Sequence, residues 1–244
     1  MRTRTASVLL AALCALALCG TGCQTTTQTG DQAAVKTRVV APKTSVVAVE
    51  TSVVAPPGWK LAYKADFTNA KAADQWVKNN AVVTVEKGSL VVKPEGAEEV
   101  QIMLKAAKFP GSVRVEFVGS LTGDTISDLT CMLNGDEYGY SNAYILQFGG
   151  RGNSLSRLLV ADDPVPGTVN DAAVVTPGKK HRVVATNDGG KITLEVDGKQ
   201  IFSHVETDPF AGAGHDMIGF YTWDCTLTLD KLVVYTKAAG KPAK

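Results

Sequence analysis

From about residue 58 onward, apolar and polar side chains alternate with a period of two. Val100, Ile102 and Leu104 take every second position, as do Val113, Val115 and Phe117. Successive side chains of a strand point to opposite faces, so this rhythm predicts half-buried antiparallel strands. Val82 to Val85 and Ser89 to Val92 flank Glu86-Lys87-Gly88, a hairpin signal. Lys191 to Val196 and Lys199 to His204 meet at Asp197-Gly198, a favoured two-residue turn. A regular two-residue hairpin there sets Leu194 opposite Ile201 and Ile192 opposite Ser203, with Thr193 and Phe202 on the reverse face. His181 to Thr186, Met217 to Thr222 and Thr226 to Tyr235 read as further strands, and Asn69 to Trp76 as a short turn or single helical turn. No segment carries the pattern of a long helix. Roughly a dozen short strands with glycine-rich turns predict an all-β fold, a two-sheet antiparallel sandwich. Blade repeats, which a propeller would show, are absent.

The first residues follow another pattern. Arg2 and Arg4 precede an apolar run from Val8 to Leu18, shorter than the ~20 residues a membrane span needs. Such a segment reads as an export signal over residues 1–22. It ends in Gly20-Thr21-Gly22-Cys23, which resembles the lipobox of bacterial lipoproteins, with Gly20 where Leu is usual. The resemblance implies acylation of Cys23 and a lipid anchor in the cell envelope. Gln24, rather than Asp, after the cysteine points to the outer membrane. Residues 23–57 then repeat a seven-residue unit, TRVVAPK, TSVVAVE and TSVVAPP, from Thr37, Thr44 and Thr51. Val-Val-Ala-Pro suits neither a helix nor heptad spacing, so the segment reads as a disordered tether. The alternative is that its paired valines form short strands. The domain is expected over residues 58–238, with a disordered tail at 239–244.

Without residues 1–22 the chain keeps 23 basic and 24 acidic side chains. This balance, with no Lys/Arg cluster, argues against nucleic acid as a partner. Cys14 and Cys19 leave with the signal, so Cys131 and Cys225 are the only cysteines of the domain. Export to an oxidising compartment permits a disulfide between them; two buried free thiols are the alternative.

One stretch departs from ordinary core-forming sequence. Ser127 to Leu159 begins and ends like strand but is crowded with Asp, Asn, Tyr, Gln and Arg. By alternation, Asp128, Thr130, Met132 and Asn134 share a face opposite Leu129, Cys131 and Leu133. Tyr140, Asn142, Tyr144, Leu146 and Phe148 likewise alternate with Ser141, Ala143, Ile145 and Gln147. Sugars present hydroxyls and apolar ring faces together, so their sites set polar planar groups beside aromatic rings. The expected carbohydrate site is therefore Asp128, Asn134, Tyr144 and Gln147, rimmed by Arg151 of Gly149-Gly150-Arg151-Gly152-Asn153 and by Trp223. A solvated sheet face with a polar loop is the other reading. Asp128 and His215 are the candidate catalytic groups, His215 because it lies in a loop as a general base would.

The order of motifs resembles the concanavalin A-like lectin/glucanase superfamily. These motifs are V-R-V-E-F, S-D-L-x-C-x-L, G-Y and F-G-G-R-G-N, then K-I-x-L-E-V-D-G-K and I-G-F-Y…L-D-K-L-V-V-Y, spanning about residues 59–236. The resemblance is nearest to 3-keto-disaccharide hydrolase-like domains of bacterial polysaccharide-degrading systems. It implies a jelly-roll sandwich, a polysaccharide or oligosaccharide partner, and a structural calcium ion held by Asp230 with Asp66. The E-x-D-x-E or E-x-D-x-x-E string of laminarinase-type glucanases is absent, which excludes a retaining enzyme of that type. Three functions remain: an exported glycan-binding domain, a 3-keto-glycoside hydrolase-like enzyme, or a structural envelope lipoprotein.

Overall fold

The computed structural model describes residues 54–237. The export signal, Cys23, the seven-residue repeats as far as residue 53 and the tail 239–244 lie outside the described residues. Fifteen strands form two sheets in which every pairing is antiparallel. The first sheet holds β1 (Lys60–Lys64), β3 (Ala81–Glu86), β4 (Ser89–Pro94) and β6 (Val113–Thr122). It also holds β11 (His181–Asp188), β12 (Lys191–Val196), β13 (Lys199–Val205) and β15 (Thr226–Thr236). Its order is β13-β12-β11-β6-β15-β4-β3, and β1 pairs with the C-terminal part of β15. The second sheet comprises β2 (Trp76–Asn79), β5 (Glu99–Leu104), β7 (Thr130–Gly135), β8 (Tyr144–Gly149), β9 (Leu155–Val160), β10 (Asp163–Pro164) and β14 (Met217–Trp223). These run β10-β9-β8-β7-β14-β5-β2. The fold is an all-β jelly-roll sandwich. Asn69 to Trp76 supplies a single short 3-10 helix, Ala70–Gln75, capped by the Asn69 side chain.

The alternating residues explain why the sheets stack. Leu90, Val115, Phe117 and Leu229 of one sheet meet Ile102, Leu133, Leu146 and Phe220 of the other in one core. Phe117 and Phe220 interlock edge-on across it, their ring centroids 4.9 Å apart. On β14, Ile218 and Phe220 point into this core, so Met217, Gly219, Tyr221 and Trp223 point away from it. On β5 the same parity sends Glu99, Gln101 and Met103 outward.

The β12–β13 hairpin departs from the regular register. Leu194 pairs with Phe202 and Ile192 with His204, because a bulge between Leu194 and Glu195 leaves Ile201 unpaired. The extra residue moves Phe202 onto the same face as Leu194, where it is buried. A strict two-residue hairpin would leave that ring on the solvent side.

A second, smaller apolar cluster sits on the outer face of the second sheet and includes Met103, Met132, Ile145 and Met217. The β7–β8 connection, Asp136 to Ala143, folds over it. The Gln101 amide pins this connection from below: Nε2 donates to the Tyr138 carbonyl at 3.1 Å, and Oε1 accepts from Tyr140 N at 3.2 Å. Gly139 completes the fit, because a Cβ there would stand 2.8 Å from Gln101 Oε1 and its φ is +64°.

Candidate functional site

Five strands turn outward-facing side chains into one cleft of about 590 Å³ on the outer face of the second sheet. Asn79, Glu99, Gln101, Tyr221, Trp223, Gln147 and Arg157 line it from β2, β5, β14, β8 and β9. Ser127 and Asp128 enter from the segment leading into β7, Tyr138 and Tyr140 from the connection after it, and Arg151 from the turn after β8.

The floor is a buried polar chain. Asp128 is 4% exposed and accepts hydrogen bonds from Ser127 Oγ at 2.5 Å and from Gln147 Nε2. Gln147 Oε1 in turn accepts from Arg157 Nε at 2.8 Å. Gln147 and Arg157 are register partners on β8 and β9, which is why the amide reaches both neighbours. Burial pushes the Asp128 carboxyl above its ordinary range, against the Ser127 and Gln147 hydrogen bonds and the Arg157 charge. The turn after β8 crosses so close to Gln147 that a Cβ at position 150 would displace its amide.

Aromatic rings form the rest of the wall. Tyr140 and Tyr221 lie 4.6 Å apart between centroids, at 43°. Burial, then the Asp128 charge, pushes both phenols up, so both remain hydroxyls at neutral pH. Trp223 stands beside Tyr221, two positions along the same strand, half-buried. Glu99, Asp128 and Asp162 are set against Arg151 and Arg157, so the cleft carries little net charge.

Of the residues expected from sequence, Asp128, Gln147, Arg151 and Trp223 come together here, and Asn134, Tyr144 and His215 do not. Tyr144 is fully buried in the inter-sheet core, stacked on Phe210 with its hydroxyl accepting from Phe210 N at 2.9 Å. It shares strand parity with Leu146 and Phe148, both in that core, and so opposes Gln147. Asn134 has φ +51°, which breaks the alternation and turns its side chain inward. Its amide donates to the carbonyls of Gly111 (2.9 Å) and His215 (3.4 Å), and accepts from Asn187 of the other sheet. His215 is stacked on Phe210 at 4.3 Å, and Nδ1 lies 3.1 Å from the Asn134 carbonyl. It supports the end of the sandwich and is not a base in the cleft.

The disulfide expectation is also corrected, and the two acids expected at a calcium site are engaged by protein groups. Cys131 and Cys225 are both free and buried. Cys131 faces Phe220 in the β7–β14 register, whereas Cys225 lies five residues further on, in the turn before β15. A disulfide needs Cα atoms within about 7 Å, and strand residues advance ~3.3 Å each. The Cys225 thiol instead contacts Thr222 Oγ1 at 2.7 Å and the Ser127 carbonyl at 3.3 Å. Asp230 is occupied by Ser89 Oγ at 2.7 Å and Lys180 Nζ at 2.9 Å. Asp66 caps its own turn through Thr68 N. Among the described residues, no group of three or more His, Cys, Asp or Glu side chains is placed to hold a metal.

Sequence reasoning passed over Tyr221, Tyr140, Glu99, Gln101 and Arg157 as site residues. Parity was the available signal: Glu99 and Gln101 alternate with Val100 and Ile102, and Tyr221 alternates with Phe220. What parity lacks is which strands are neighbours, and β5, β14 and β8 are far apart in sequence.

The fold has solved counterparts. The chain is similar to the carbohydrate-binding module CBM66 from Bacillus subtilis, with a TM-score of 0.50 and 12% identity, over 67% of this chain and 92% of that one. It is similar to the potassium-bound Emp46p carbohydrate recognition domain, at 0.53 and 14%, over 71% and 97%. SCLam, a non-specific endo-beta-1,3(4)-glucanase of family GH16, matches at 0.55 and 13%, over 75% and 93%. Identities this low establish a shared jelly-roll sandwich and nothing finer. No protein-family model and no curated protein matches the chain.

Proposed function

We propose that the chain is an exported, lipid-anchored glycan-binding protein, anchored through Cys23 in the bacterial outer membrane, whose cleft takes a neutral oligosaccharide. The observation that carries this reading is the juxtaposition of Tyr140, Tyr221 and Trp223 with the Ser127–Asp128–Gln147–Arg157 chain. Apolar ring faces lie beside fixed donors and acceptors, as hydroxyl-rich pyranose or furanose rings require. Near-balanced charge favours an uncharged sugar over a uronic acid. Two of the solved counterparts carry carbohydrate recognition in their names, which supports the class of ligand. The cleft is open and not filled by its own side chains, which counts against a purely structural envelope protein.

A glycan array probed with the full chain tests the reading. Trp223→Ala and Arg151→Ala should each weaken the best array hit, the tryptophan variant by about tenfold. Lys199→Ala, on an edge of the other sheet, should bind like wild type. Equal binding by all three variants, or no glycan bound by any form, would overturn the proposal.

A second reading, glycoside cleavage of the 3-keto type, is favoured by one observation, the raised Asp128 carboxyl. A carboxyl whose burial favours the protonated form over that of an ordinary carboxylate leans towards general-acid work. Incubation with 3-keto-glycosides separates the readings: turnover abolished in Asp128→Asn while binding persists supports an enzyme, and no turnover by wild type dismisses it.

A further inference from the structure

The aromatic most available to solvent in the described chain does not serve the core. Tyr138 is 70% exposed, and its ring lies on the connection that crosses the second sheet. It lines the cleft described above and also a second one, of about 490 Å³, on the other side of that connection. The second cleft includes Val77, Lys105, Glu137 and Met217. The two occupy opposite ends of the same strand: Tyr221 and Trp223 belong to the first and Met217 to the second. Strand β14 has seven residues, and at ~3.3 Å per residue it spans roughly 20 Å. A monosaccharide cannot cover that length, but a linear oligosaccharide can.

The backbone under Tyr138 is held by hydrogen bonds on both sides. Its N–H donates to Asp136 Oδ1 at 2.9 Å, its carbonyl accepts from Gln101, and Asp136 Oδ2 accepts from Asn142 Nδ2 at 2.7 Å. A ring presented on a fixed backbone loses little freedom when a sugar stacks on it. An exposed tyrosine held between two clefts therefore acts as a platform joining them.

We propose that the ligand is an internal stretch of a linear polysaccharide, which runs from the first cleft over Tyr138 into the second. This rests on the glycan-binding reading of the first cleft and adds its mode: chain segments are bound in preference to single units or chain ends. Affinity should therefore climb with chain length beyond the disaccharide, and Tyr138 should carry part of that climb.

Calorimetric titration of the full chain with cello-, laminari-, manno- and inulin-type fructo-oligosaccharides, each as disaccharide, tetrasaccharide and hexasaccharide, tests this. In the series that binds, the hexasaccharide should bind more tightly than the disaccharide. Tyr138→Ala should lower hexasaccharide affinity by about threefold to tenfold and disaccharide affinity by clearly less. Tyr138→Phe, which keeps the ring, should retain the affinity. A disaccharide bound as tightly as the hexasaccharide overturns the inference and leaves the first cleft intact. Equal weakening of both lengths by Tyr138→Ala also overturns it, by placing Tyr138 in the first cleft alone. Absence of binding by wild type to every series removes this mode and the neutral-glycan reading together.

Discussion

Gly150→Ala is the substitution whose effect follows most directly from the geometry of the cleft floor. A Cβ at this position falls on the Gln147 amide, with Nε2 at 2.5 Å and Cδ and Oε1 closer still. These atoms are the end of a flexible side chain, so the backbone does not have to shift. The cost is instead that Gln147 must leave its two partners. One is the buried Asp128 carboxyl, to which Nε2 donates; the other is Arg157 Nε, which Oε1 accepts at 2.8 Å. A hydrogen bond to a charged group contributes about 1.5–3 kcal/mol, and a buried carboxylate short of a donor adds a desolvation cost. The variant should therefore lose about 2–4 kcal/mol of stability. Urea denaturation at neutral pH, compared at constant m-value, reads this directly. The mechanism makes a further demand. Once Gln147→Ala has removed the amide, adding Gly150→Ala should cost only a few tenths of a kcal/mol, because nothing remains to displace. If Gly150→Ala costs the same in both backgrounds, the close approach is not the cause and the reasoning fails. An unchanged midpoint in the single variant would refute it equally.

Four other outcomes are expected. Asn134→Ala should destabilise by about 2–4 kcal/mol, since three partners lose their bonds, the buried Asn187 amide among them, yet leave glycan affinity untouched in the folded fraction; weakened affinity would return Asn134 to the site. Asp128 and Asp197 should act on acid stability with opposite sign. Asp128 is raised by burial, so its contribution is complete below the ordinary carboxyl pKa of about 3.9 and is lost as pH rises through the folded value. For Asp197, burial works upward but is outweighed by Lys179, the Arg182 N–H and His181, which hold it at about 2. Its contribution is present above about 3.9 and is lost as pH falls towards about 2. Denaturation midpoints against pH should therefore lose their acid-side fall in Asp197→Asn and their fall above about pH 4 in Asp128→Asn; slopes parallel to wild type would sink both assignments. Labelled palmitate should mark wild-type cells and not Cys23→Ser, and equal labelling would remove the anchor.

The chain order of apolar residues determined the fold class, most strand positions and the turn at Lys87-Gly88, because each depends on neighbours close in sequence. Parity along single strands was equally legible. It placed Gln147 on the face opposite Leu146 and Phe148, and it placed Tyr144 with those two core residues, so Tyr144 and Gln147 never shared a surface. Local backbone decided the next layer. A positive φ at Asn134 and a bulge beside Glu195 each reverse the face that simple alternation assigns to a side chain, and neither follows from hydrophobic pattern. The cleft itself belongs to the tertiary structure. Antiparallel pairing sets β14 between β5 and β7, and β7 beside β8. Only that order brings Glu99, Tyr221, Asp128 and Gln147 side by side from segments up to about 120 residues apart. The two free cysteines show the same dependence: compartment permits their bond, but the register of β7 on β14 keeps Cys131 opposite Phe220 and out of reach of Cys225. Alternation tells each strand which face is wet; the packing of strands across the sheet decides which wet faces become one site.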